Sequence, residues 1–141
     1  MVNVDDLSHL DASDIEAIHD SILEQYPGLP GNKPGMSAEA VVGRIFANIY
    51  YRQFSGIEQV AAIYAEAIAR GHVFNDGNKR TALVSTFTFL EGNGFTIVAP
   101  DDVLADWIVD LAEGKRNNSE FAMWLKGKLR RLRTTPEVEL L

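Results

Sequence analysis

The sequence predicts an all-α fold. Six stretches place apolar side chains three and four residues apart, the repeat of one helix face. One short β-branched stretch, "FTIVA" at 95–99, reads as extended, and a single segment cannot make a sheet. The chain has 141 residues, 46% of them apolar, and no cysteine. One domain of that size can bury an ordinary core without cross-links.

Residues 1–10 read as a loose N-terminus with His9 on its surface. The first helix spans "ASDIEAIHDSILEQY", residues 12–26. Ile15, Ile18, Ile22 and Tyr26 share a face, Ser13 and Glu16 form a capping box, and His19 falls on the polar side. "PGLPGNKPGM" breaks that helix with Pro27, Pro30 and Pro34. Ser37 caps a second helix through "AEAVVGRIFANIYYRQF", whose face holds Val41, Ile45, Phe46, Ile49 and Tyr50. A third starts near Gly56 with Val60, Ile63, Tyr64, Ala67 and Ile68 inward. It should stop at Gly71, in the left-handed conformation that ends helices.

A fourth helix runs from Asn78 to Glu91, with Leu83, Val84, Phe87 and Leu90 as its apolar side. Asp101 caps a fifth containing Val103, Leu104, Trp107, Ile108 and Leu111. The sixth runs from Asn118 to Arg133, with Phe121, Trp124, Leu125 and Leu129 facing in. Trp107 and Trp124 read as core. Residues 134–141 read as a frayed tail.

Net charge is −7, which argues against direct nucleic-acid binding, because phosphate neutralisation needs basic surface. The charge is uneven: residues 118–133 hold five cations and one acid. Lys126, Lys128, Arg130, Arg131 and Arg133 make either a solvated helix end or a dock for an acidic partner. No apolar run of about 18 residues exists to span a membrane. The acidic start "MVNVDDLSHLD" lacks the form of a signal peptide. With no cysteine, these features suit a cytoplasmic protein.

The stretch "GHVFNDGNKRT", Gly71 to Thr81, does not read as packing. A helix ends, five residues follow, and a new helix begins near Gly77. A helix start exposes unpaired N–H groups and the positive end of the macrodipole, which together attract anions. Gly77 lets backbone approach a bound group, Asn78 adds an amide donor, and Lys79 and Arg80 add cations. A phosphate-bearing ligand is the natural guest. Asp76 would repel phosphate unless a cation such as Mg²⁺ bridged the two. Histidine exchanges protons near neutrality, so His72 can take one from a hydroxyl. Phe74 plugs into the core and holds the loop. The assembled reading is transfer of a group from a nucleotide to a hydroxyl. The plainer reading is a helix cap, which explains Asp76 and Asn78 but not His72, Phe74, Lys79 and Arg80. The stretch is not a P-loop, because its glycines are six apart and Asn78 precedes Lys79. Nor is it a zinc site, because His72 and Asp76 lack a third ligand nearby.

His72, Phe74, Asp76, Asn78 and Arg80 fill the pattern His-x-Phe-x-Asp-x-Asn-x-Arg. With "GLPG", "AEAVVGRI" and "FLEGNGF", the chain resembles the Fic/Doc family, and within it the death-on-curing toxins. The likeness runs from Gly28 to the sixth helix. It implies one helical-bundle domain over residues 1–141 with the motif loop set before a helix N-terminus. It implies His72 as general base, Asp76 as a holder of Mg²⁺, Asn78 and Arg80 on nucleotide phosphates, and the Gly77–Lys79 backbone as the anion cradle. "GLPGNKPGM" matches the family's target-aligning flap, though a plain connector is the alternative.

The family divides by chemistry. Members with Gly-Asn-Gly in the cradle mostly transfer AMP, whereas toxins with Ala-Asn-Lys deliver the γ-phosphate of ATP. Gly77-Asn78-Lys79 mixes the two, and Lys79 weighs more because it adds a charge. The resemblance therefore implies a toxin kinase acting on a hydroxyl of a protein target, elongation factor Tu, to block translation. The alternatives are AMP transfer by the same site, and an inactive relative that serves as a binding partner. No self-inhibiting Ser/Thr-x-x-x-Glu-Gly/Asn helix is found, which implies restraint by a separate antitoxin protein.

Overall fold

A computed structural model describes residues 2–132. Among them are six helices: α1 Ala12–Gln25, α2 Ala38–Tyr50, α3 Ile57–Gly71, α4 Asn78–Gly92, α5 Asp101–Glu113 and α6 Asn118–Lys126. The strand β1, Phe95–Ile97, pairs antiparallel with β2, Leu129–Arg131. The fold is mostly α, as expected, but its extended segment has a partner. The sixth helix does not reach residue 133. It ends at Lys126, and the chain turns at Gly127 and returns as β2, with Leu129 opposite Ile97. Lys128, Arg130 and Arg131 are therefore not on a helix. Arg133 and the tail at 134–141 lie outside the described residues.

Helix α3 occupies the centre and touches α2, α4, α5 and α6. Its sequence explains that place. Val60, Ala61, Ala62, Ile63, Tyr64, Ala65, Ile68 and Ala69 are all buried, so apolar or small residues cover most of its circumference. Alanines let neighbouring axes come close. Ile45, Ile49, Phe89, Leu90, Leu104, Ile108, Leu111, Phe121 and Leu125 close around it. Trp107 is buried, as expected, with Arg116 stacked on its ring at 4.1 Å. Tyr50, expected inside, is exposed.

Several ends differ from expectation in informative ways. The cap of α1 is Asp11, which exchanges hydrogen bonds with Asp14, while Ser13 only donates to Asp11. Pro100 caps α5, and Asp101 and Asp102 fill its first turn, where the helix dipole favours acids. The buried face of α4 carries Thr81, Ala82, Ser85, Thr86, Phe89 and Leu90. Leu83 and Phe87 are half-buried and Val84 is exposed. Small side chains toward α3 permit close contact, and Thr86 Oγ1 satisfies itself on the Ala82 carbonyl at 2.7 Å.

The N-terminal segment, expected to be loose, is tied down. Val2 N–H donates to Phe54 O at 2.9 Å, and Ser8 exchanges hydrogen bonds with the Asn93 side chain. His9 is wedged inside that segment rather than on its surface. Its Nδ1 meets the Tyr64 hydroxyl at 2.8 Å and its Nε2 meets Val4 O at 2.8 Å. Leu10 N–H also donates to the Tyr64 oxygen. The Val4 carbonyl can only accept, so Nε2 carries the imidazole proton, and Nδ1 of the neutral ring accepts from the Tyr64 hydroxyl.

Candidate active site

The motif loop spans the break between α3 and α4, and both flanks have left-handed backbone. Helix α3 continues through Gly71, so the left-handed residue is His72, with φ 49° and ψ 42°. Gly71 serves another purpose: a Cβ there would lie 2.9 Å from Val41 Cγ2, so glycine allows α2 to close on the helix end. A non-glycine residue in the left-handed region carries strain of about 1–2 kcal/mol. Gly77 caps α4 with φ 84°.

His72, Asp76, Gly77, Asn78, Lys79 and Arg80 line one cavity of about 270 Å³, together with Ala69 and Asn75. Every residue assigned to the site from the sequence is thus brought together. The first hydrogen bond of α4 runs from Thr81 N–H to Gly77 O at 2.9 Å. The backbone N–H groups before Thr81 precede that ladder, which is the donor-rich end an anion seeks.

The Asn78 side chain closes the motif loop. Its Nδ2 donates to Phe74 O at 2.8 Å and its Oδ1 accepts from Phe74 N–H at 3.0 Å. These bonds engage the amide oxygen and one of the two Nδ2 hydrogens, and Asn78 still lines the cavity. Phe74 is buried, as expected. Arg80 lays its guanidinium over the Tyr26 ring at 4.0 Å. It stands between the cavity and a larger, mostly apolar hollow of about 530 Å³ lined by Ile18, Ile22, Tyr26, Leu83 and Val84. Lys79 is exposed beside the cavity. Its charge reaches Glu113, whose carboxyl is held low mainly by its hydrogen bond to Lys115 and more weakly by Lys79.

Asp76 is held at its carboxylate, where Oδ2 accepts from Leu29 N–H at 2.7 Å. Among the described residues no group of three or more His, Cys, Asp or Glu gathers to cage a metal. A lone carboxylate suits Mg²⁺, which keeps waters and borrows substrate phosphates, better than a cation needing an all-protein cage.

Residues 31–33 pair with the motif loop. Asn32 and Phe74 form an antiparallel bridge, Lys33 N–H donates to Val73 O at 2.8 Å, and Asn75 N–H donates to Gly31 O at 3.0 Å. Asn75 Nδ2 also donates to Pro30 O.

Sequence reasoning missed His19. Expected on a polar surface, it is only 2% exposed. Its ring stacks on Phe74 at 3.8 Å and 9°, and its Nε2 contacts Asp76 O at 2.8 Å. The signal was present: residues 15, 19, 22 and 26 fall on one helical stripe. Counting only apolar residue types passes over it.

These features define a class: a mostly helical protein whose motif loop sets a histidine, a carboxylate and two cations around a glycine-capped helix start. The particular family follows from comparison. A model of the Fic/DOC family matches residues 9–90, and the chain belongs to that family. It is 39% identical over 120 residues to "Protein kinase doc" of Escherichia phage P1, covering 85% of this chain and 94% of that protein. It is 38% identical over 66 residues to "Toxin Doc" of Mycolicibacterium smegmatis, covering 46% of this chain and 51% of that protein.

Proposed function

We propose that the chain is a Doc-like toxin that transfers the γ-phosphate of ATP to a hydroxyl of a protein target. The observation that carries this reading is the shared cavity: His72, Asp76, the start of α4 and Lys79 face one space. His72 takes the proton of the acceptor hydroxyl. The freed oxygen attacks the γ-phosphorus, the bond to the bridging β–γ oxygen breaks, and ADP leaves with that electron pair. Charge spread over the phosphoryl oxygens meets the N–H groups of Gly77–Arg80 and the cations of Lys79 and Arg80. Arg80 must turn from Tyr26 toward the phosphates to take part. Asp76 and the phosphates would hold Mg²⁺, which supplies neutralising charge when bound.

AMP transfer is the competing chemistry, and Gly77 was its chief support. Its φ of 84° accounts for glycine on conformational grounds. That leaves Lys79 as the discriminating residue, and it favours phosphate transfer. Elongation factor Tu is the proposed target and a separate antitoxin the proposed restraint, both on the likeness to the Doc relatives. The pairing of residues 31–33 with the motif loop supports a target-aligning flap. Lys33 N–H and Gly31 O face the loop, so the N–H and C=O of Asn32 face away and can pair with an incoming segment.

ATP labelled at the α- or the γ-phosphate tests the reaction in cell extract without antitoxin. Label from γ alone is expected. Label from α alone means AMP transfer, label from both excludes γ-phosphate transfer alone, and no label overturns both enzymatic readings.

A further inference from the structure

We infer that His19 is a positioning residue that fixes the Asp76–Gly77 peptide and thereby aims the Gly77 N–H into the anion cradle. The inference rests on the nucleotide reading above and extends it to a helix outside the motif. A carbonyl oxygen can only accept, so the 2.8 Å contact requires His19 Nε2 to carry a proton and donate to Asp76 O. The peptide is trans, so its N–H points opposite to its C=O. With the carbonyl turned toward α1, the Gly77 N–H turns away from α1, toward the cavity that Gly77 lines.

One further contact fixes the imidazole itself. It lies parallel to Phe74 at 3.8 Å, and Phe74 is clamped at both backbone groups by Asn78. Left-handed Gly77 follows directly, and its φ of 84° is one that glycine adopts without strain. The cradle is thus held by a side chain 57 residues away in sequence. A peptide plane without that restraint could rotate and withdraw its donor from phosphate.

Three variants separate the hydrogen bond from packing. His19→Phe keeps the ring against Phe74 and loses the donor. His19→Gln keeps an N–H donor able to reach Asp76 O and loses the stack. His19→Ala loses both. Calorimetric titration with magnesium–ATP is expected to show affinity weakened roughly tenfold in His19→Phe and within about threefold of the parent in His19→Gln. Thermal denaturation should rank the same two variants the other way. Parent-like affinity in His19→Phe, or affinity that simply follows thermal stability, overturns the positioning role.

Amide NMR spectra without nucleotide provide a second reading. His19→Phe should shift or broaden the Gly77 signal and its neighbours in the loop, and His19→Gln should restore them. Unchanged loop signals in His19→Phe overturn the inference even if the chain binds no nucleotide. A parent protein that binds no nucleotide defeats the transferase reading instead, and the spectral result still decides the role of His19.

Discussion

Asn78 grips Phe74 at both backbone groups, its Nδ2 on the carbonyl at 2.8 Å and its Oδ1 on the N–H at 3.0 Å. The side chain is the clasp of the loop. Replacing it by alanine should cost about 1–3 kcal/mol of stability and release Phe74. Chemical denaturation measures the loss. If Asn78→Ala lowers only nucleotide affinity and leaves stability untouched, the clasp is not its role.

His72 carries the strain of a left-handed non-glycine backbone at the proposed base. His72→Gly should therefore abolish transfer while raising stability by about 1 kcal/mol. His72→Ala should also abolish transfer and toxicity with the fold intact, and it keeps the strain. Growth arrest that survives either change would remove His72 from the mechanism.

Gly77→Ala places a methyl at φ 84°. We expect a loss of about 1–2 kcal/mol, seen as a drop of a few degrees in Tm, with the transferred group unchanged. A switch in which phosphate of ATP is incorporated would show that Gly77 sets the chemistry after all.

Lys79→Gly removes a cation from the cavity without touching the loop clasp. It should reduce γ-phosphate transfer by roughly a hundred- to a thousandfold, the range for losing one donor that stabilises transition-state charge. The measurement is incorporation from γ-labelled ATP, and full activity in the variant would remove the main reason for preferring phosphate transfer.

Tyr64 is fully buried, and burial pushes its phenol well above the ordinary value of 10.0. A raised folded-state value favours the neutral form. The corresponding stability is fully present below pH 10.0 and is lost as pH rises beyond it toward the folded value. Tyr64→Phe should cost about 1–2 kcal/mol at neutral pH by orphaning Leu10 N–H and His9 Nδ1. It should also flatten the alkaline limb of stability against pH. An identical alkaline limb in parent and variant would mean that another group governs it.

The sequence by itself determined the helical class, the approximate place of each helix and the grouping of His72, Asp76, Gly77, Lys79 and Arg80 around one loop. Those features are local: helical spacing shows in adjacent turns, and a glycine-marked helix start needs no distant partner. Only tertiary structure decided what depended on contacts remote in sequence. β2 took the end of the sixth helix because residues 95–97 offered it an unpaired edge. His9 became half-buried and His19 buried because Tyr64 and Asp76 supplied hydrogen-bond partners from other elements. Asn78 became the clasp of the loop because the Phe74 backbone lay within reach of both ends of its amide. A polar side chain has no fixed address in a one-dimensional pattern. Its place depends on whether folding brings it a partner that makes burial cheap enough.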